Sequence, residues 1–391
     1  MNVYEVVNNI SGLDDILKEA LIKYINDYCL LFNNNPIVVE NLLTQIKNNV
    51  NEVEIKDLDG SSGAVSNMSK AIFLSSNLEE WNIVNTFLHE LTHKISTNDI
   101  IEEGIVITLN AGLKYGSDDQ EDSIFGPVRS WNMDGNNYAY KLGTAVLDEW
   151  ITEWIANKIS EMKNVEIKKY ENGFFRIKTS HGYDGSNIMN LLEVTFGTQT
   201  IADLLTGLTI PKEQRNCVLP LYGFKKMNEM YDSDKILKQD EKELLLSLGK
   251  YIKTPTISIY LLKLIYEYNY EKDLSNKNNY LMKMMNLILR TYITKFDDKL
   301  NKCNTLESFG NLYNELKKIQ LSLAWNLDLN KLNEMEYFAI YKELVNKFMN
   351  ALNEKKVNNK YSDLIMSPEE IFRKFEDYES QFGHNKNNLI R

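Results

Sequence analysis

The sequence predicts an α+β fold that is predominantly helical, with a mixed domain over 1–225 that carries a small sheet and an all-helical domain over 226–391. Apolar residues recur at helical spacing through most of the chain. Short alternating or apolar runs, which are typical of strands, are confined to the first half. Beyond about Gly223 glycine becomes rare. A length of 391 residues leaves room for two or three domains.

In the first domain, predicted helices and strands alternate. Asp14 is a suitable N-cap for the first long helix, and Pro36 a suitable start for the second. The helices are predicted over 14–32, 36–50, 77–96, 139–162, 186–196 and 199–205. Strand-like runs lie at 51–57, Ala71–Leu74 and 165–178, the last as a hairpin around Asn172-Gly173. A turn is predicted at Gly60–Gly63.

The stretch 97–139 is rich in Gly, Asn and Asp. Apart from a strand at Gly104–Leu109, it predicts a long loop. The second domain is predicted to consist of helices over 234–252, 255–271, 275–302, 305–324, 329–355 and 368–377.

Composition excludes several classes of protein. The net charge is 44 − 55 = −11, which makes nucleic acid a poor partner. No apolar run approaches the length of about 20 residues that spans a membrane, and the first residues carry no secretory signal pattern. Three widely spaced cysteines (Cys29, Cys217 and Cys303) form neither a disulfide framework nor a thiolate cluster. We therefore expect a cytoplasmic protein, and the Asn-, Lys- and Ile-rich composition suggests a bacterial or phage origin.

The segment Thr86–His93 contains an HExxH motif. On a helix, residues four apart lie on one face, so His89 and His93 can reach one Zn²⁺ ion. Glu90 follows the first histidine directly and can take a proton from water at the metal. Apolar residues flank the motif, as a buried active-site helix requires.

A catalytic zinc site normally uses three protein ligands and one water, so a third ligand is needed. Glu102 and Glu103 lie only 9 and 10 residues after His93, which leaves little chain for the turn that would bring them back to the metal. Glu149 and Glu153 lie four apart on one predicted helix and are favoured. In apolar surroundings, one of the pair would bind the metal and the other would orient a histidine.

These residues resemble the gluzincin, or thermolysin-like, zinc metallopeptidases. The resemblance covers roughly 65–200 and implies a zincin-like domain within 1–225. It implies that His89, His93 and Glu149 bind Zn²⁺, that Glu90 is the general base, and that Glu153 supports a histidine. The implied substrate is a peptide or protein.

The resemblance also implies an oxyanion donor downstream of the third ligand. Tyr183 is the first choice and His181 the second, both in the segment after the predicted hairpin. The strand Ala71–Leu74 precedes the HExxH helix, as the edge strand does in the family. We expect that such an edge could pair with an extended peptide.

Two alternatives remain open. Some HExxH proteins of bacteria and phages are regulatory peptidases that cut a repressor, and their third ligand lies in an ExxAN-like segment. Residues 153–157 match that pattern, which would make Glu153 the ligand. Alternatively, the chain could be a helical interaction or regulatory protein that carries a non-catalytic zincin domain.

Overall fold

The computed structural model describes residues 2–65, 69–78, 80–95, 99–103, 106–114, 127–134, 137–142, 145–160, 165–169, 174–179, 185–209, 222–247, 256–323, 327–328, 336–355, 364 and 370. The helices are α1 (Val3–Asn8), α2 (Asp15–Leu31), α3 (Pro36–Asn49), α4 (Glu80–Ile95), α5 (Ala145–Ser160), α6 (Ser186–Phe196), α7 (Thr198–Thr209), α8 (Tyr222–Glu229), α9 (Ser233–Ile236), α10 (Gln239–Ser247), α11 (Ile257–Tyr270), α12 (Leu274–Asn301), α13 (Leu306–Leu323) and α14 (Glu336–Glu354). The strands are β1 (Glu52–Lys56), β2 (Gly63–Val65), β3 (Ala71–Ser75), β4 (Asp99–Glu103), β5 (Val106–Lys114), β6 (Pro127–Asp134), β7 (Asn137–Leu142), β8 (Val165–Lys169), β9 (Phe174–Thr179) and β10 (Leu327–Asp328).

The predicted α+β class with a majority of helix is confirmed. The starts of the first two long helices follow from their caps. The Asp14 carboxylate accepts a hydrogen bond from the Leu17 amide at 2.8 Å, and Pro36 occupies the first turn of α3. Among the described helices, none combines the length and the apolar character needed to cross a membrane.

The chain divides into two compact units. The first contains the described residues of Met1–Lys163 and Thr198–Lys226, and the second those of Asn164–Gly197 and Met227–Asn388. The boundary between the units at Lys226 and Met227 lies one residue from the domain boundary predicted from composition. The segment 164–197, however, belongs to the second unit although it precedes that boundary.

In the first unit, a small sheet positions the HExxH helix. Its strand order is β1-β3-β2, with β1 parallel and β2 antiparallel to β3. Helix α4 packs on β3 and β2, and on its other sides contacts α2, α3 and α5. The apolar side chains of Phe87, Leu88, Leu91 and Ile95 are all buried. The core of this unit therefore lies around α4.

The prediction of a long loop over 97–139 is wrong. The described part of this stretch forms an antiparallel sheet in the order β4-β5-β6-β7. Each strand pairs with the next one along the chain, so its backbone hydrogen bonds are satisfied locally despite the polar composition. The following helix is shorter than predicted for the same reason, because residues 139–142 belong to β7 and α5 begins at Ala145.

The second unit is mainly helical. Helix α12 packs against α6, α11 and α14, while α13 contacts α6 and α14. The Arg290 guanidinium donates to Glu241 at 2.8 Å and to the Ile236 carbonyl at 3.0 Å. These contacts fix the short helices α9 and α10, which stand where a single helix was predicted over 234–252.

Strands β8 and β9 form the predicted hairpin, and β10 pairs with β9 on its other edge. The prediction of an all-helical domain over 226–391 is therefore wrong, because Leu327–Asp328 forms a short strand that pairs with β9. Residues 329–335 and most of the predicted helix at 368–377 lie outside the described residues.

Candidate metal centre

The two histidines of the HExxH motif lie one above the other on α4. Their ring centroids are 4.7 Å apart, and the Nε2 atoms of His89 and His93 face each other at 3.1 Å. His89 is nearly fully buried, with 4% of its side chain exposed, and His93 is exposed at 9%. Spacing of four residues on a helix produces this convergence.

Helix α5 brings Glu149 to the same point. Its Oε2 atom lies 3.0 Å from Nε2 of His93 and 3.3 Å from Nε2 of His89. The three atoms therefore form a triangle with sides of 3.0, 3.1 and 3.3 Å. Ligand atoms placed tetrahedrally at zinc distances of about 2.0–2.1 Å are about 3.3 Å apart. The donor set and its spacing thus fit a divalent metal ion.

The His89–His93–Glu149 group has the composition of an open metal site. Within the described residues, no fourth His, Cys, Asp or Glu joins it. The Glu149 side chain is 19% exposed, which makes it the most accessible of the three. Three ligands with access for solvent are typical of catalytic sites, whereas structural zinc sites are closed by four.

A carboxylate stands behind each histidine. Glu153 lies on α5 one turn after Glu149, and its Oε2 atom is 3.2 Å from Nδ1 of His89. Asp148 holds Nδ1 of His93 in the same way, at 3.4 Å. A carboxylate at each Nδ1 favours a proton on that nitrogen, so Nε2 is the atom that each ring offers to a metal ion in the triangle.

Sequence reasoning gave Asp148 no role. Its only signal is its place directly before Glu149, and adjacent residues on a helix point about 100° apart. The crossing of α4 and α5 lets both side chains reach histidines. Glu102 and Glu103, the less favoured ligands, lie in β4, where the structure describes only the backbone.

Two asparagines extend the polar contacts behind His89. The Asn157 amide donates to Oε1 of Glu153 at 2.9 Å, and the Asn85 amide donates to Oδ1 of Asn157 at 2.7 Å. Asn85 lies four residues before His89 and Asn157 four residues after Glu153, so both continue the helix faces of the site. This i,i+4 spacing is the signal that could have found them.

The carboxylates change the protonation of the histidines. Burial lowers the pKa of His89, but hydrogen bonds with Glu149 and Glu153 outweigh it and raise the pKa to about 9. Burial also lowers the pKa of His93, and the charge of Glu149 together with the hydrogen bond to Asp148 raises it to about 10. A metal ion that enters the triangle therefore displaces protons at neutral pH.

The expectation that Ala71–Leu74 is an edge strand is wrong. β3 lies between β1 and β2, so both of its edges are paired. Among the described strands, none pairs with the outer edge of β2. The Ser75 amide donates to the Ser62 carbonyl, and the alternation of antiparallel pairs then directs the backbone groups of Gly63 and Val65 away from β3.

Glu90 is buried between α4 and β2. Its side chain is close to Gly63, which lies on the strand with the open edge. The predicted oxyanion donors, Tyr183 and His181, lie outside the described residues.

No protein-family model, no curated protein and no solved structure matches the chain.

Proposed function

We propose that the protein is a zinc-dependent metallopeptidase that hydrolyses peptide bonds in a zincin-like domain. The observation that supports this function is a convergence of three side chains. His89 and His93, on the helix that carries Glu90, meet Glu149 from α5 at one point. Zinc, when bound there, supplies Lewis-acid chemistry, which polarises the scissile carbonyl and lowers the pKa of water from about 15.7 towards about 7.

The residues of the chain then have distinct roles. Glu90 accepts the proton of the attacking water and passes it to the leaving amine. Glu153 and Asp148 hold His89 and His93 in the tautomer that leaves Nε2 free to bind metal. Tyr183 or His181 would donate a hydrogen bond to the oxyanion.

The open edge of β2 supports a peptide as the substrate. An extended peptide can add to such an edge through backbone hydrogen bonds that are independent of its sequence. Because Gly63 lies on this edge beside Glu90, a peptide bound there would pass the proposed general base.

The repressor-cleaving alternative requires the same chemistry with Glu153 as the third ligand. The contacts favour Glu149, because Glu153 lies at Nδ1 of His89, on the outer side of the ring. A regulatory peptidase with Glu149 as its ligand remains compatible with this geometry. The buried thiols of Cys29 and Cys303 fit a reducing compartment, and we retain the cytoplasm as the proposed location.

Metal content and turnover test the proposal together. We expect the purified protein to bind one equivalent of zinc and to cut members of a peptide library. Glu90→Gln should retain the zinc and lose at least about 10²-fold in turnover, because general acid–base catalysis is worth that much. Glu40→Gln, at an exposed site on α3, should change neither quantity.

Separate substitutions identify the third ligand. Glu149→Ala should abolish stoichiometric zinc, whereas Glu153→Ala should weaken zinc affinity by about 10- to 100-fold. The reverse order would assign the ligand to Glu153. A wild-type protein that binds no zinc would support the non-catalytic interaction protein instead.

A further inference from the structure

Gly63 makes an unusually close approach to the proposed general base. A Cβ atom built at this position would lie 2.6 Å from Cγ and 2.8 Å from Oε1 of Glu90. It would also lie 2.8 Å from Cγ2 of Thr86. Gly63 is in an extended strand, so its backbone conformation is open to any residue. The requirement for glycine is therefore one of space.

The surroundings determine which group would move if a side chain were added. The strand is held by its pairing with β3, including the hydrogen bond from the Ser75 amide to the Ser62 carbonyl at 2.9 Å. Thr86 is 1% exposed, and its hydroxyl donates to the Asn82 carbonyl at 3.0 Å, which fixes its rotamer. Glu90 has the longest and most adjustable of these side chains, so an added methyl would displace its carboxylate.

We infer that Gly63 is a positioning residue, whose lack of a side chain sets the place of the Glu90 carboxylate. This inference rests on the proposed function, in which Glu90 moves the proton. The backbone of β2 packs against the Glu90 side chain. Only a residue without a Cβ atom at position 63 allows this close packing. The metal ligands do not depend on Gly63, so its effect is on the proton-transfer step.

The test is Gly63→Ala, assayed on the library peptide that the wild-type protein cuts fastest. Because a misplacement of about 1 Å can cost about 10²-fold in rate, we expect kcat to fall by that order. KM should stay within about twofold and zinc content should not change. Ser61→Ala changes an exposed side chain on the turn before β2 and should leave kcat unchanged.

Two further variants distinguish positioning from general damage. In a Glu90→Gln background, Gly63→Ala should cause no further loss, because the group that it displaces no longer acts. Thr86→Ser removes the Cγ2 atom that crowds the site, and it should restore part of the lost kcat in the Gly63→Ala protein. Losses that simply multiply in the double variant, or no rescue by serine, would overturn the inference.

A structural measurement separates this inference from the proposed function. If the wild-type protein has no peptidase activity, the proposed function fails, but crystal structures of zinc-soaked wild-type and Gly63→Ala proteins still locate Glu90. A carboxylate displaced by about 1 Å supports the positioning role. An unmoved carboxylate overturns it.

Discussion

At the scale of single residues, each ring nitrogen of His89 and His93 lies within 3.4 Å of a carboxylate oxygen. The Nε2 atoms meet the Glu149 carboxylate, and the Nδ1 atoms meet Glu153 and Asp148. Buried carboxylates are costly without compensation, and a divalent cation at the triangle would supply it. The geometry of this group is thus compatible with a divalent metal ion.

Replacing Asp148 with asparagine tests this arrangement. Asp148→Asn keeps the shape of the side chain and removes its charge, so the pKa of His93 in the metal-free protein should fall. Asparagine offers the Nδ1–H of His93 a neutral acceptor in place of a carboxylate, which makes Nε2 a weaker metal ligand. We expect a zinc affinity lower by about 10-fold.

Competition with a chelator measures the affinity, and an NMR titration of the ring protons measures the pKa. Asp15→Asn on α2 is the control, because the Asp15 side chain is fully exposed. Equal zinc affinity in Asp148→Asn and wild type would show that the charge of Asp148 does not support the metal.

The sequence was sufficient to predict which residue types converge, but not all of their contacts. Spacing of four on a helix brings His89 to His93, and it placed Glu149 and Glu153 on one face of α5. It gave no indication of Asp148 or Gly63. Their roles depend on how α5 crosses α4 and how closely β2 approaches it, and both are set by residues distant in the sequence.

At the scale of elements, α4 and α5 are joined by polar contacts that run along both helices. Asn85 and His89 lie one turn apart on α4, facing Asn157 and Glu153 on α5. Glu153 is fully buried, so its hydrogen bonds replace the water that it loses on folding. The contacts fix the register in which Glu149 meets the histidines.

Removal of the Asn157 amide should therefore destabilise the metal-free protein. Asn157→Ala takes a donor from the buried Glu153 carboxylate and an acceptor from Asn85, at a cost of about 1–3 kcal/mol in the free energy of unfolding. Urea denaturation measures the change. Asn26→Ala, at an exposed site on α2, should stay within about 0.5 kcal/mol of wild type. Equal effects of the two substitutions would contradict a specific role for Asn157.

Helices were easier to predict than strands for a physical reason. An amphipathic helix such as α2 or α12 records its buried face in its own spacing, whereas a strand depends on partners elsewhere in the chain. Ala71–Leu74 was correctly predicted as a strand, but the central place of β3 comes from β1 and β2, which pair with it on both sides. The strand predicted at Gly104–Leu109 overlaps β5, but β4, β6 and β7 were missed because these strands are stabilised by pairing within their own sheet.

At the scale of the whole molecule, the chain passes between its two units more than once. The segment 164–197 belongs to the second unit, and the described part of 198–226 to the first. The change of composition near 226 indicates one boundary. It cannot reveal that an earlier segment, 164–197, also belongs to the second unit. The three residues of the metal triangle and the two carboxylates behind its histidines, Asp148 and Glu153, belong to the first unit.

This distribution predicts where zinc stabilises the chain. A ligand that binds only the native state at about 100 times its Kd stabilises that state by about 2.7 kcal/mol, or about 10²-fold. We expect hydrogen exchange in peptides from α4 and α5 to slow by up to this factor in zinc relative to a chelator. Peptides from α12 and α14, in the second unit, should exchange in zinc and in chelator at rates that agree within about twofold.

Glu149→Ala is the control, because zinc should not slow exchange once the third ligand is lost. Equal slowing in both units, or none in α4 and α5 of the wild-type protein, would refute a zinc site confined to the first unit.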